Sequence, residues 1–195
     1  LNVKIRVKGI IFMAKPPRYG QLLYHFTNIL NLESILRNGL LPREKVNDDF
    51  VDVADSEIIE YRKKIGLLKY IPFHFFAPSP FVGAVQSVHP DKIFIHICIK
   101  REYARNNGFK ILPSHPLSHN LLLLDTIQLY SYKEGFDLID WDLMAERNYY
   151  NDECKCVCLA ECLTENTIRY KDFSCIYVQD KNVMDDVLTI FYDVE

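Results

Sequence analysis

Lys92-Ile93-Phe94-Ile95-His96-Ile97-Cys98-Ile99 sets isoleucine at every second position and fills the places between with phenylalanine, histidine and cysteine. A strand with one wet face alternates apolar with polar residues, whereas this one is apolar on nearly both faces, as a central strand must be. Upstream, residues 70–76 are aromatic-rich but contain Pro72, which predicts a strand near an edge or one entering a loop, ended by Pro78 and Pro80. Residues 22–41 read as a strand running into a short helix, because Ile29, Leu32, Ile35 and Leu36 recur at helical spacing and Gly39 follows. Residues 42–56 are polar and acidic and read as a loop, and residues 57–64 as a short, basic-ended helix carrying Arg62.

Downstream, residues 106–120 hold Gly108, Pro113, Pro116, His115 and His119 with no periodicity, a loop of a length that is uncommon unless functional. Residues 140–150 predict a helix, 155–163 and 174–178 strands, and 183–191 a final helix. In residues 1–12, Val3, Ile5 and Val7 alternate with Lys4, Arg6 and Lys8. They read as an N-terminal strand or as an extension ahead of a second candidate start at Met13. Strands interleave irregularly with helices, so the expectation is an α+β fold in a single domain over residues 1–195.

With 195 residues, the chain is long enough to bury a core that needs no disulfide or metal. No apolar run, Leu121 to Leu124 included, approaches the roughly 20 residues of a membrane helix, and no signal-peptide stretch is apparent, so we expect no membrane association and a cytoplasmic location. The cysteines at 98, 154, 156, 158, 162 and 175 are then expected to be reduced. A net charge of −3 argues against coating nucleic acid by bulk positive charge, so any nucleic acid must be held locally.

There is no glycine-rich phosphate loop, no His-Glu-x-x-His and no Gly-x-Ser-x-Gly, which disfavours Rossmann, P-loop, zincin and α/β-hydrolase chemistry. Cys154, Cys156 and Cys158, read on a strand, project thiols in a row that cannot easily close a zinc tetrahedron, so small buried hydrophobes are expected and no metal. The same parity sets Glu161 after apolar Val157 and Leu159, either as a strand-end residue reaching water or as a carboxylate kept for chemistry. His25 likewise reads as a core histidine or a functional one.

Tyr24-His25-Phe26-Thr27, followed by Asn31-Leu32, Ser34-Ile35-Leu36 and Gly39-Leu40-Leu41, resembles the opening of the DarT-type DNA ADP-ribosyltransferase toxins. Ile59-Glu60-Tyr61-Arg62 resembles the family's arginine segment. Tyr70-Ile71-Pro72-Phe73-His74-Phe75 with Ala77-Pro78-Ser79-Pro80 resembles its Tyr-Val-Pro-Phe-Tyr-Phe and Pro-x-Ser-Pro stretch. Leu117-Ser118-His119, Ile139-Asp140-Trp141-Asp142, Tyr149-Tyr150 and Ala160-Glu161 follow in the family's order, so the likeness runs from residue 22 to about 190. Departures occur where the family often has Gln-Ala-Glu, Tyr-Trp and Phe-Thr-Asp against Leu159-Ala160-Glu161, Tyr149-Tyr150 and Ile111-Leu112-Pro113, so target base and sequence do not carry over.

The resemblance implies an ADP-ribosyltransferase-like domain with a central split mixed/antiparallel sheet flanked by helices. It implies NAD⁺ as co-substrate, no metal, and ADP-ribose transferred to a base of single-stranded DNA with release of nicotinamide. RNA or protein as target and a non-catalytic binding module are the alternatives. Glu161 matches the catalytic glutamate, placed to stabilise positive charge that builds on the ribose as the nicotinamide bond breaks. Arg62 matches an active-site arginine, expected to clamp the cofactor phosphates or polarise the base edge rather than act as a base. His25, Phe26, Thr27, Ser34, Leu41, Arg62, Tyr70 and Phe73 are implied to meet NAD⁺, with Tyr70 and Phe73 walling the nicotinamide. His115, His119, Tyr149 and Tyr150 are implied to meet the nucleic acid, with His119 a candidate proton acceptor or a solvated loop residue. The basic stretches 37–45, 62–64 and 100–105 are either phosphate contacts or solvated helix faces. The implied partner is a macrodomain antitoxin of the DarG type.

Overall fold

The computed structural model describes residues 3–7, 15–47, 49–54, 56–115 and 127–194. His119 and Leu121 to Leu124 lie outside them. Eight strands form one sheet in the order β1-β8-β4-β2-β3-β7-β5-β6. These are β1 (Lys4–Val7), β2 (Leu22–Asn28), β3 (Ile71–His74), β4 (Phe94–Lys100), β5 (Lys110–Leu112), β6 (Tyr130–Ser131), β7 (Glu161–Thr164) and β8 (Cys175–Val178). All neighbours are antiparallel except β1 and β8, which run parallel. Helices α1 (Leu32–Asn38), α2 (Ser56–Lys64), α3 (Pro80–Val88), α4 (Arg101–Asn106), α5 (Tyr132–Leu138), α6 (Trp141–Glu146), α7 (Asp152–Cys158) and α8 (Lys181–Val194) surround it. No described helix is long and apolar enough to cross a membrane.

The isoleucine ladder forms β4, and its Ile95, Ile97 and Ile99 are fully buried with Leu23, Phe73, Ile111, Cys162 and Ile176. β4 pairs with β2 along seven residues. By contrast, β2 and β3 share one paired position, Tyr24 opposite His74, so the sheet is two halves joined at a point. Pro72 supplies the reason. Its carbonyl faces β2, where the His25 ring takes it as a hydrogen-bond acceptor at 2.9 Å, so its nitrogen, which has no hydrogen, faces β2 as well. On its other side β3 pairs with β7 along all four residues. Of the two expectations for residues 70–76, the strand near an edge is therefore corrected, since β3 is interior and the proline opens a split, while a strand entering a loop is what the chain forms after His74.

Two further boundaries differ from the sequence reading. The strand expected over 155–163 starts only at Glu161, and its first part belongs to helix α7. Asn151 caps that helix, its side chain accepting from the Cys154 amide at 3.0 Å, and Asp152 and Glu153 complement the helix dipole in the first turn. The period-two spacing of Cys154, Cys156 and Cys158 misled, yet all three are buried, as small hydrophobes would be. Residues 106–120 are not one loop, since Lys110–Leu112 forms β5, and the helix expected over 140–150 ends at Glu146, where Arg147 takes a left-handed φ of 52°.

Arg101 ties the halves together. It is buried at the start of α4, and its guanidinium donates to the carbonyls of Leu22 (3.2 Å), Arg18 (3.1 Å), Pro17 (2.8 Å) and Phe75 (2.8 Å). The rings of Phe75, Trp141 and Phe136 lie 5.1, 5.6 and 5.9 Å from the cation. A lysine has the charge but not the fork of donors. Arg101→Lys should therefore leave buried carbonyls unpaired and cost about 3 kcal/mol or more, read as a lowered urea midpoint; an unchanged midpoint would show that the cluster is not structural.

Candidate active site

The split opens into a cavity of about 800 Å³. Phe26 and His25 border it from β2, Pro72 and His74 from β3, Glu161 from the first position of β7, and Arg62 from α2. Its floor is electrostatic. Arg62 Nη1 and Glu161 Oε1 lie 2.7 Å apart, with side chains only 12% and 5% exposed. Burial, the largest single influence, would raise the Glu161 carboxyl, but the Arg62 guanidinium together with His115 and His74 outweighs it and holds the group below the usual carboxylate range. Glu161 is thus a fixed anion at neutral pH. Its Oε2 and Arg62 Nη2 are buried without a hydrogen-bond partner among the described residues. Such atoms in a cavity are positioned for a ligand's polar groups.

Other expected residues fall at different depths. His25, Phe26, Ser34, Leu41, Arg62, Tyr70 and His115 line the cavity, while Thr27, Phe73, Tyr149 and Tyr150 do not. Thr27 is buried, its hydroxyl accepting from Asn31 Nδ2 at 3.0 Å. Phe73 lies in the core beneath His25, with ring centroids 5.6 Å apart, so it backs that histidine and cannot wall a ligand. The Tyr149 hydroxyl donates to the Pro78 carbonyl at 3.0 Å, and Tyr150 is fully exposed. Arg62 is engaged by Glu161 through Nη1, while its Nη2 has no partner among the described residues.

Some residues that shape the site carried no assignment in the sequence. Asn31 donates to the Val51 carbonyl and accepts from its amide, both at 2.9 Å, fastening the 49–54 wall to the head of α1. Arg43 and Asp52 form a 2.6 Å pair in the cavity lining, with the guanidinium 5.7 Å from the Phe50 ring centre. Asp152 and Lys155 of α7 contribute to the lining, and no group of three or more potential metal ligands stands together among the described residues. Asn31 and His74 lie inside the runs that carry the family resemblance, which was the available signal.

A family model described as the single-stranded-DNA thymidine ADP-ribosyltransferase DarT matches residues 24–195. The chain belongs to the DarT family. Its DarT fold is also that of solved relatives. The Thermus sp. 2.9 DarT in complex with ADP-ribosylated single-stranded DNA superposes with a TM-score of 0.76 at 21% identity, covering 93% of this chain and 90% of that one. The complex of the same Thermus protein with NAD⁺ gives 0.72 at 20% identity, covering 94% and 92%. Thermosipho africanus DarTG in complex with ADP-ribose gives 0.66 at 21% identity, covering 88% of this chain and 47% of that longer one. No curated protein matches by sequence.

Burial pushes His25 and His115 down to about 4 from an ordinary 6.5. Each ring is then neutral in the folded DarT chain and protonated in the unfolded chain between those values, so their stabilisation is present above about pH 6.5 and lost as pH falls towards 4. In urea titrations at stepped pH, these two rings should take up close to two protons on unfolding in mid-window, a slope of about 2.7 kcal/mol per pH unit, to which His74, also lowered by burial, adds. His115→Gln should remove one of them, and a flat midpoint across the window would contradict the burial of both rings.

Proposed function

We propose that this DarT chain transfers ADP-ribose from NAD⁺ to a thymine of single-stranded DNA, with Glu161 as the catalytic carboxylate and Arg62 as its counter-ion. One observation carries the reading: an ionised glutamate whose second oxygen is unpartnered among the described residues, at the floor of a cavity of about 800 Å³, in a chain of this family. When bound, NAD⁺ supplies an activated ribose carbon and nicotinamide as leaving group. Glu161 offers Oε2 to a ribose hydroxyl and negative charge where positive charge develops, and Arg62 keeps that carboxylate charged and oriented. His25 holds the split open through Pro72 and, with Phe26, Ser34, Leu41 and Tyr70, borders the dinucleotide. His115 stands on the nucleic-acid side, with Tyr149 and Tyr150 on the outer rim.

By modifying DNA the chain acts as a toxin in this reading, and the partner proposed for it is a macrodomain antitoxin of the DarG type, a reading supported by the DarTG relative from Thermosipho africanus.

Glu161→Gln keeps the side-chain volume and removes the charge. We expect a fall of about 100- to 1,000-fold in the rate at which a thymine-containing oligonucleotide gains ADP-ribose, followed by mass spectrometry. A variant that transfers at the wild-type rate would refute the assignment of Glu161. The form of the substrate is a second test. A base engaged in pairing must first be opened at a cost of a few kcal/mol, so annealing the oligonucleotide to its complement should slow transfer at least about tenfold at matched salt. Equal rates on the two forms would contradict a single-stranded target.

A further inference from the structure

Bonding a ring N–H of a base to the ribose carbon releases a proton, and something in the cleft must accept it. Among the described residues, three histidines line the cavity: His25, His74 and His115. Tyr24 pairs with His74 across the split, so His25, one residue on, leaves the sheet on the opposite face, over Phe73. His74 is on the face of the glutamate. It is the direct register partner of Glu161 on β7, which makes the two side chains neighbours. Its Nδ1 lies 3.3 Å from the Ala160 carbonyl. A carbonyl oxygen can only accept, so Nδ1 carries the hydrogen and Nε2 is left with a lone pair.

We propose that His74, through Nε2, is the proton acceptor of the transfer reaction, an assignment that rests on the function proposed above. In the step, a base nitrogen bonds to the ribose carbon as the bond from that carbon to nicotinamide breaks. Nicotinamide leaves neutral with the bonding pair, the proton of the base nitrogen passes to His74 Nε2, and the imidazolium returns it to solvent.

The surroundings suit this task. Burial lowers the basicity of His74 and keeps the ring neutral before reaction, whereas Glu161 acts in the opposite sense and favours the imidazolium once it forms. Arg62, from α2, opposes protonation but is itself paired with Glu161 at 2.7 Å. Among the described residues, His25 from the opposite face of β2 and His115 after β5 are close enough to feel the charge of His74, and Tyr24 is its register partner on β2; burial keeps all three uncharged at neutral pH. The Phe81 ring of α3, 5.9 Å away, contributes no charge. A base fixed on an interior strand by a backbone carbonyl is better held than one in a loop.

Two measurements test this. Long-range ¹H–¹⁵N NMR of the histidine-labelled wild-type protein should show His74 protonated on Nδ1 and bare on Nε2 at neutral pH; the reverse tautomer would overturn the proposal. In transfer assays, His74→Ala should lose about 100-fold in kcat, and added imidazole should restore a dose-dependent part of it. His74→Gln, closer in size, serves if the alanine variant does not fold, and should show the same fall without a matching rise in KM for NAD⁺. Wild-type kcat in either variant, a loss in His74→Ala that imidazole never relieves, or rescue confined to His115→Ala would each overturn it. Failure of the wild-type protein to transfer ADP-ribose to any thymine-containing oligonucleotide would instead refute the underlying function, and the NMR result would stand apart from that failure.

Discussion

A proline in an interior strand is the constraint from which the rest of this structure follows. A strand that cannot donate towards its neighbour forfeits part of the ladder, and β3 does so on the side of β2 only. The sheet consequently meets itself at one pair and parts beside it. The backbone carbonyl exposed by the parting is satisfied by the His25 ring, which closes the hydrogen-bond account of the gap without closing the gap. The cavity, the access of ligand to the first residue of β7 and the exposure of His74 to it all descend from that one missing N–H.

The ion pair in the cleft is better understood as equipment for a reaction than as a source of stability. Removing a carboxylate and a guanidinium from water costs several kcal/mol for each ion before their attraction is counted, and an apolar pair of equal volume is often as stable. Arg62 and Glu161 nevertheless sit almost fully buried with one polar atom each unsatisfied. A low-dielectric setting makes a fixed negative charge effective against developing positive charge, and the neighbouring guanidinium prevents that charge from being lost by protonation.

How much of this was legible depended on the range over which each signal acts. The isoleucine ladder of β4 announces a central strand because side-chain period and burial are local properties. Pro72 was equally visible, but whether a proline marks an edge or a split depends on what lies on both sides of the strand, which a single stretch does not contain. The cysteines of α7 offered only three alternating positions, too few to separate period 2 from 3.6, and the Asn151 cap decided the matter. Glu161 and Arg62 were found through family likeness. Their contact was not, because 99 residues separate them and nothing in either segment names the other. The same distance dependence hid the burial of Phe73 and the engagement of Thr27 by Asn31.

Arg101 has a mechanical meaning beyond its hydrogen bonds. It grips Leu22 at the start of β2 and Phe75 just past the end of β3, on the far side of the Tyr24–His74 pair from the opening. The two half-sheets are therefore fixed at their apex, and the cleft is a wedge rather than a jaw. The four directed hydrogen bonds and the ring contacts of Arg101 at that apex resist the swing of one half-sheet against the other, so a dinucleotide enters a space already shaped for it. Little ordering entropy is then lost from the strands on binding, and whatever selectivity depends on motion must reside in the segments at the rim.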